Sequence, residues 1–391
     1  MSDDGLPARI LHVDDDEDVL NEVHEYLGDE EILDWGRPEV VGITSFEDAL
    51  GYLEKERFDL VVLDVRLGSA QEDVDVEDEA GLVALEQIRD RRFVPIVFWT
   101  GLPGAIEHLA GELVLVREKT EGLPALSGAV DSLFKTRLPA VNRALLRLVE
   151  DEQRRYMWEF VAEHWSELKA VEDHTSVAYL LARRLGRSLS GPGIRQLAKE
   201  LGEDADSGVP PDGKIHAMEM YLRPPVAGTA LEAGDLLRGK DGDEESWSLV
   251  LTPSCDLEHG KADYVQLAAC LPFADQVDVI AWRSGEGNKG ERKAAERRVV
   301  EILRQQTGGQ LDRWLYLPRA LDIPDLIVDM QKLRSVPRAE VDDLQRIASL
   351  DSPFAESAIN RYNRYYGRVG TPDLDAEAAF ERFSSADGEG A

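Results

Sequence analysis

The stretch ILHVDDDEDVL, residues 10–20, decides the fold of the first third of the chain. Arg9–Val13 reads as a short buried strand, three carboxylates follow at once, and Leu20, Val23 and Leu27 then recur at helical spacing. The pattern repeats outward. Val40–Ile43, Phe58–Leu63, Val94–Trp99 and Leu113–Val116 read as further strands, and Phe46–Leu53, Gly81–Arg91 and Leu123–Phe134 as helices between and after them. Continuously apolar strands that alternate with helices predict a parallel sheet covered on both faces. In such sheets ligands bind beyond the carboxyl ends of the strands.

The polar residues fall at those ends. Asp14, Asp15 and Asp16 follow the first strand, Asp64 ends FDLVVLD, Thr100 ends VPIVFWT, and Lys119 follows LVLVRE. Adjacent carboxylates repel one another unless a cation joins them, so a divalent metal site is expected. Carboxylates holding Mg²⁺, one of them attacking a phosphoryl group, with a hydroxyl and an ammonium to neutralise its oxygens, make a site for phosphoryl transfer to aspartate. Each residue also has a plainer reading. Asp14 and Asp16 suit a helix N-terminus, Thr100 before Gly101 suits a turn, and Lys119 can pair with Glu121.

ILHVDDDEDVL, FDLVVLDVRL, GLVALEQIR, VPIVFWTG and the lysine of VREKTEG together resemble the receiver domains of two-component response regulators, over residues 8–137. The resemblance implies a flavodoxin-like, doubly wound α/β fold with a five-stranded parallel sheet. It implies Asp64 as phosphoacceptor, a Mg²⁺ site from Asp14, Asp15, Asp64 and the Arg66 carbonyl, and Thr100 and Lys119 as contacts to the phosphoryl group. It also implies a sensor histidine kinase as partner. Three departures stand out. Thr120 replaces the usual proline after the lysine, Val116 occupies the place of the aromatic switch residue, and the loop after Asp64 is longer than usual. The phosphorylation chemistry is expected to survive, whereas the threonine–aromatic signalling route lacks its aromatic.

The chain has 391 residues and a formal charge of −33. Residues 1–138 hold 33 of its 77 acidic and 12 of its 44 basic side chains, so the excess is concentrated there. Six carboxylates between Glu72 and Glu79 are expected as a solvated loop. Overall acidity makes sequence-independent nucleic-acid binding a local matter at most. Two cysteines make no disulfide framework, no stretch reaches a membrane span, and the first residues lack signal-peptide order. A cytoplasmic protein is expected.

Four segments are expected: the receiver over 1–138, a helical connector over 139–212, a small β-rich, barrel-like domain over 213–285 and a helical region over 286–391. The helix from Pro139 suits either a homodimerising signalling helix or a core helix. Ser176–Leu185 and Ile194–Leu201 read as further helices, and Glu203–Gly213 as a linker. Strands are expected at Ile215–Leu222, Asp235–Leu237, Trp247–Leu251 and Tyr264–Cys270. AGDLLR and WSLVLTPSCDLEHGKADYVQLA resemble SH3-like barrel modules of bacterial toxin-like and defence-associated proteins. Cys255, Asp256, His259 and Cys270 lack the ligand count of a zinc site and the setting of a thiolate nucleophile. Lys289–Gln306 reads as a charged amphipathic helix, and INRYNRYYGRVG interleaves Arg361, Arg364 and Arg368 with Tyr362, Tyr365 and Tyr366. These can serve an interface and internal ion pairing, or they can stack bases. The output is therefore read as phosphorylation-dependent interaction, with a nucleic-acid effector, such as a barrel-type ribonuclease or a DNA- or RNA-binding regulator, as the alternative. Beyond receiver self-phosphorylation and dephosphorylation the sequence identifies no independent catalytic site.

Overall fold

A computed structural model describes residues 7–29, 33, 35–64, 75–169, 174–188, 214–226, 228–241, 244–305, 309–368 and 374–386, the side chains at 75–82, 174–176, 241, 309–310 and 385–386 excepted. The chain divides into two compact units, residues 1–207 and 208–391.

In the first unit, β1 (Arg9–Val13), β2 (Glu39–Ile43), β3 (Leu60–Leu63), β4 (Ile96–Thr100) and β5 (Val114–Glu118) form an all-parallel sheet in the order β2-β1-β3-β4-β5. The expected strands and helices are present. Each strand sends alternate residues to opposite faces, and both faces are apolar. Leu11, Val13, Val61, Leu63, Ile96 and Phe98 pack against α2 (Phe46–Lys55) and α3 (Asp75–Arg91). Ile10, Leu60, Val62, Val97 and Trp99 pack against α1 (Glu17–Leu27) and α5 (Leu123–Lys135), and the short α4 (Pro103–Ile106) follows β4. The α3 helix starts six residues before the expected Gly81 and takes in part of the acidic run read as a loop. Glu and Ala are good helix formers and carboxylates favour a helix N-terminus, which outweighs the charge repulsion that suggested a loop.

A left-handed residue, Arg137 at φ 62°, breaks α5 from α6 (Leu138–Tyr156). The start of the expected connector is thereby tied back onto the parallel sheet. Arg143 meets Asp59 at the beginning of β3 through Nε to Oδ1 at 3.0 Å and Nη2 to Oδ2 at 2.7 Å. Arg57 also pairs with Glu150. A helix over His174–Ser188 returns along α6, where Arg184 pairs with the nearly buried Glu152. The expected helix Ile194–Leu201 and linker Glu203–Gly213 lie outside the described residues.

The second unit is a curled antiparallel sheet in the order β10-β11-β9-β8-β7-β12-β6. Its strands are β6 (Tyr221–Leu222), β7 (Asp235–Asp241), β8 (Glu244–Val250), β9 (Tyr264–Pro272), β10 (Trp314–Leu317), β11 (Leu326–Pro337) and β12 (Gln345–Leu350). Alternation again sorts the core. Leu236, Trp247, Leu249, Ala268 and Cys270 join one cluster, and Leu237, Val250, Val265 and Leu267 the other. Of the strand expected over Ile215–Leu222, only Tyr221–Leu222 pairs, because a 3-10 turn with a capping box from His216 and Glu219 precedes it. The stretch after residue 286 was expected to be helical, yet β10, β11 and β12 lie in it. Helices also form there, at Lys289–Leu303, Phe354–Tyr366 and Ala376–Ala386.

The interleaved Arg and Tyr residues are engaged within this unit. Arg361 is buried, Arg364 Nη2 pairs with Asp312 Oδ1 at 3.2 Å, Arg368 lies over the Tyr365 ring at 4.0 Å, and the Tyr366 hydroxyl donates to the Met330 carbonyl at 2.9 Å. The two cysteines differ in kind. Burial holds the Cys270 thiol well above its ordinary range inside the sheet, while Cys255 is exposed on the short helix Ser254–Glu258. A colourless-to-yellow thiol reagent such as Ellman's should therefore titrate one thiol in the native chain and two after denaturation. Two fast thiols in the native protein would contradict this burial.

Candidate functional site

The carboxyl ends of β1, β3 and β5 bring the expected residues together. Asp14 follows β1 and is fully buried, its backbone N–H donating to the Ile43 carbonyl at 3.1 Å. Asp64 follows β3 and is buried, its N–H donating to the Val13 carbonyl at 2.9 Å. Asp15 is exposed beside them. Asp14, Asp15 and Asp64 each offer an oxygen within 4.8 Å of the others, and they are the one such group of metal-capable side chains among the described residues. Cys255, His259 and Cys270 form no such group there.

Lys119 reaches this cluster from the end of β5. Its Nζ donates to Asp14 Oδ2 at 2.7 Å and to Asp64 Oδ2 at 2.6 Å, which sets aside the alternative pairing with Glu121. A 3-10 turn over Lys119–Glu121 aims it, and Gly122 closes that turn at φ 78°, a value that side-chain-bearing residues rarely adopt. Desolvation lowers the lysine's affinity for its proton, but the bonds to Asp14 and Asp64 outweigh that, so its pKa lies above the ordinary lysine value. Burial raises the Asp14 carboxyl despite the bond from Lys119.

Thr100 is buried at the end of β4, where its Oγ1 accepts a hydrogen bond from the Leu102 N–H at 3.2 Å. The turn-forming reading of Thr100 is thus correct, and its hydroxyl proton stays available to a further acceptor. The capping role read for Asp16 is also present, with Oδ1 accepting from the Asp18 and Val19 N–H groups. Asp14 does not cap a helix in this way; its Oδ1 accepts from the Asp16 N–H at 3.1 Å and stays in the cluster. Arg66 lies outside the described residues, as do the side chains of the acidic run 72–79.

Strand order 2-1-3-4-5 with a crevice at the β1/β3 switch point is the arrangement of flavodoxin-like folds, CheY among them. The first third of the chain has the receiver fold. No family model matches the chain, and no curated protein does. Solved structures do match, over that third. A CheY-like response regulator receiver domain from Methylobacillus flagellatus is 20% identical with a TM-score of 0.25, covering 33% of this chain and 99% of its own. A two-component response regulator from Clostridium difficile is 18% identical with a TM-score of 0.27, covering 34% and 98%. The response regulator TrrA from Thermotoga maritima, in complex with Mg²⁺–BeF, is 21% identical with a TM-score of 0.24, covering 32% and 98%. No helix among the described residues is long and apolar enough to cross a membrane.

Beneath the acidic crevice lie two residues that the sequence pattern did not single out. His12 is fully buried on β1, with neither ring nitrogen hydrogen-bonded, and its Nε2 is 3.9 Å from Asp14 Oδ2. Its ring sits 6.1 Å from that of Trp99, over which Lys119 Nζ lies at 5.6 Å. A polar residue in the otherwise apolar run ILHV was the available signal. Burial, reinforced by the Lys119 charge, pushes the His12 imidazole down to about 3. The unfolded chain binds this proton near the ordinary value of 6.5, so stability present above that pH is lost as pH falls from about 6.5 toward 3. The loss amounts to on the order of 5 kcal/mol. Asp14, raised in the folded state, works in the opposite direction. Comparing wild type with His12→Leu in denaturant melts from pH 7 to pH 4, with chelator present, isolates the histidine. The variant should show the flatter profile, and equal slopes would refute the assignment.

Proposed function

We propose that this protein is a response regulator that accepts a phosphoryl group on Asp64 from the phosphohistidine of a sensor kinase and thereby alters the contacts of its C-terminal region. The supporting observation is the cluster of Asp14, Asp15 and Asp64 with the Lys119 ammonium bonded to two of them. Three carboxylates face one ammonium, and Asp64 Oδ1 is buried with no hydrogen-bond partner, so the donor set suits a divalent cation. Asp14, Asp15 and Asp64, with the Arg66 carbonyl, would hold Mg²⁺. When bound, Mg²⁺ supplies positive charge against the phosphoryl oxygens.

The chain's own residues do the rest. An Asp64 carboxylate oxygen attacks phosphorus, the P–N bond of the phosphohistidine breaks, and its electron pair departs with the imidazole as the aspartyl P–O bond forms. Lys119 exchanges its bond to Asp64 for one to a phosphoryl oxygen, and the Thr100 hydroxyl donates to another. Asp14 keeps Lys119 in place through its own bond to Nζ. Val116 is half-buried and offers no aromatic ring to a signalling route from Thr100, whereas α6 is tied to Asp59 at the far end of β3.

Incubating the full chain with acetyl phosphate and Mg²⁺ should give one hydroxylamine-labile phosphate per chain, and Asp64→Asn should give none. Labelling that persists in Asp64→Asn, or fails in the wild type, would overturn the reading.

A further inference from the structure

The second unit contains a cavity of about 630 Å³ between β12, the segment before β7 and the helix Phe354–Tyr366. Small-molecule sites commonly measure about 300–1,000 Å³. Its polar wall is a built network. Asp235 is fully buried and accepts the Ser349 hydroxyl at 2.6 Å, while Arg346 Nε lies 2.9 Å from its other oxygen. Arg346 Nη2 donates to Ser349 Oγ at 3.0 Å, and Nη1 donates to Thr229 Oγ1 at 3.0 Å and to the Ala230 carbonyl at 3.2 Å. The one guanidinium of the lining is therefore neutralised and turned into the wall, where it is of no use to an anionic ligand.

The carboxylates of the lining are placed differently. Exposed Glu232 and Glu356 and half-buried Asp351 surround the same space. Asp351 Oδ1 accepts the Ser352 N–H at 2.7 Å and Glu356 Oε1 the Ser352 hydroxyl at 2.9 Å. None of the three meets a cationic side chain among the described residues. Leu222, Val226 and Ile359 supply apolar wall between them. A concave site with apolar walls and uncompensated charge of one sign focuses its field and concentrates the opposite ion.

We propose that this cavity binds an aliphatic ammonium, its methylenes against Leu222, Val226 and Ile359 and its charged ends on Glu232, Asp351 and Glu356. A free polyamine and the lysine side chain of a peptide share this chemistry. The proposal stands apart from the phosphoryl-transfer reading, since its residues and its test lie wholly in the second unit. Calorimetry on the full chain at about 150 mM salt, where diffuse surface attraction is largely screened, uses spermidine, tetralysine and uncharged 1,6-hexanediol as probes. One equivalent of spermidine or tetralysine should bind, hexanediol should not, and the tighter of the two identifies the source. Glu232→Gln and Glu356→Gln should each weaken binding about tenfold. Val226→Trp and Leu222→Trp fill the space without changing charge, at side chains exposed enough to enlarge without disturbing the core, and should block it. Absence of saturable binding, equal binding of hexanediol, or multiple equivalents indifferent to both tryptophan variants would overturn the proposal. The last of these outcomes is what diffuse attraction to a chain of charge −33 would give.

Discussion

Lys119→Met should lower phosphate uptake from acetyl phosphate by about 10²-fold, the loss typical of removing one preorganised donor from a developing charge. Two buried carboxylates share its ammonium, at 2.7 and 2.6 Å, so the substitution also leaves Asp14 and Asp64 facing each other without compensation. Breaking a buried ion pair on one side costs about 3–5 kcal/mol, and Lys119, partly exposed, should fall at the lower end. Mg²⁺ should restore part of that stability in the variant, because a divalent cation relieves the same repulsion. The measurements are initial phosphorylation rates, and urea melts with and without Mg²⁺. An unchanged rate would remove Lys119 from the proposed reaction. A variant that is both slow and equally stable would confine the lysine to the chemistry.

The second large effect is expected far from that site. Arg361 is 1% exposed, the largest fully buried side chain among the described residues, and burial pulls its guanidinium below the ordinary arginine value. Its Nη1 donates to the Leu311 and Trp314 carbonyls at 2.8 and 2.7 Å, and its Nη2 to the Gln305 carbonyl at 2.9 Å. One side chain thus ties the helix Phe354–Tyr366 to the end of Lys289–Leu303 and the start of β10. Arg361→Met keeps much of the apolar volume but leaves three carbonyls short of a donor, and should cost about 3–5 kcal/mol in the second unit. Lysine should not rescue it, since a single ammonium cannot reproduce the planar fork. Urea unfolding followed by tryptophan fluorescence reads the change, and a shift under about 1 kcal/mol would show that the carbonyls find other partners.

The first unit was legible in the sequence because its strands are buried on both faces. Leu60–Leu63 is fully buried at every position, as a continuously apolar run predicts, and the site residues fall where those runs end. The Asp14, Asp64 and Lys119 cluster followed from that registration. Two things did not. The bolt between Arg143 and Asp59 joins residues 84 apart, with no local pattern to announce it. His12 was hidden because a lone polar residue within a strand says nothing of what surrounds it. In the second unit, β7, β8 and β9 were read as strands, whereas β11 was not. Its pairing with β9 slips between Asp329 and Leu333, and that bulge breaks the period of two. Its outer half carries exposed Gln331 and Lys332, and it lies in the stretch that was expected to be helical. Tyrosine and arginine in residues 359–368 suited an interface and internal ion pairing or a surface for bases, and a buried guanidinium, an ion pair and internal ring contacts use them within this unit.

Strand order in the second unit has a consequence for how the protein is made. The parallel sheet has all its strands once residue 118 has been synthesised, from connections of moderate length. The antiparallel sheet places β12, residues 345–350, between β7 and β6, so β7 waits more than a hundred residues for its second neighbour. Such distant pairings make folding slow and leave a strand edge open in the meantime. During synthesis the two units should therefore mature at different times, the parallel-sheet one early and the other only when the helix carrying Arg361 emerges to close it.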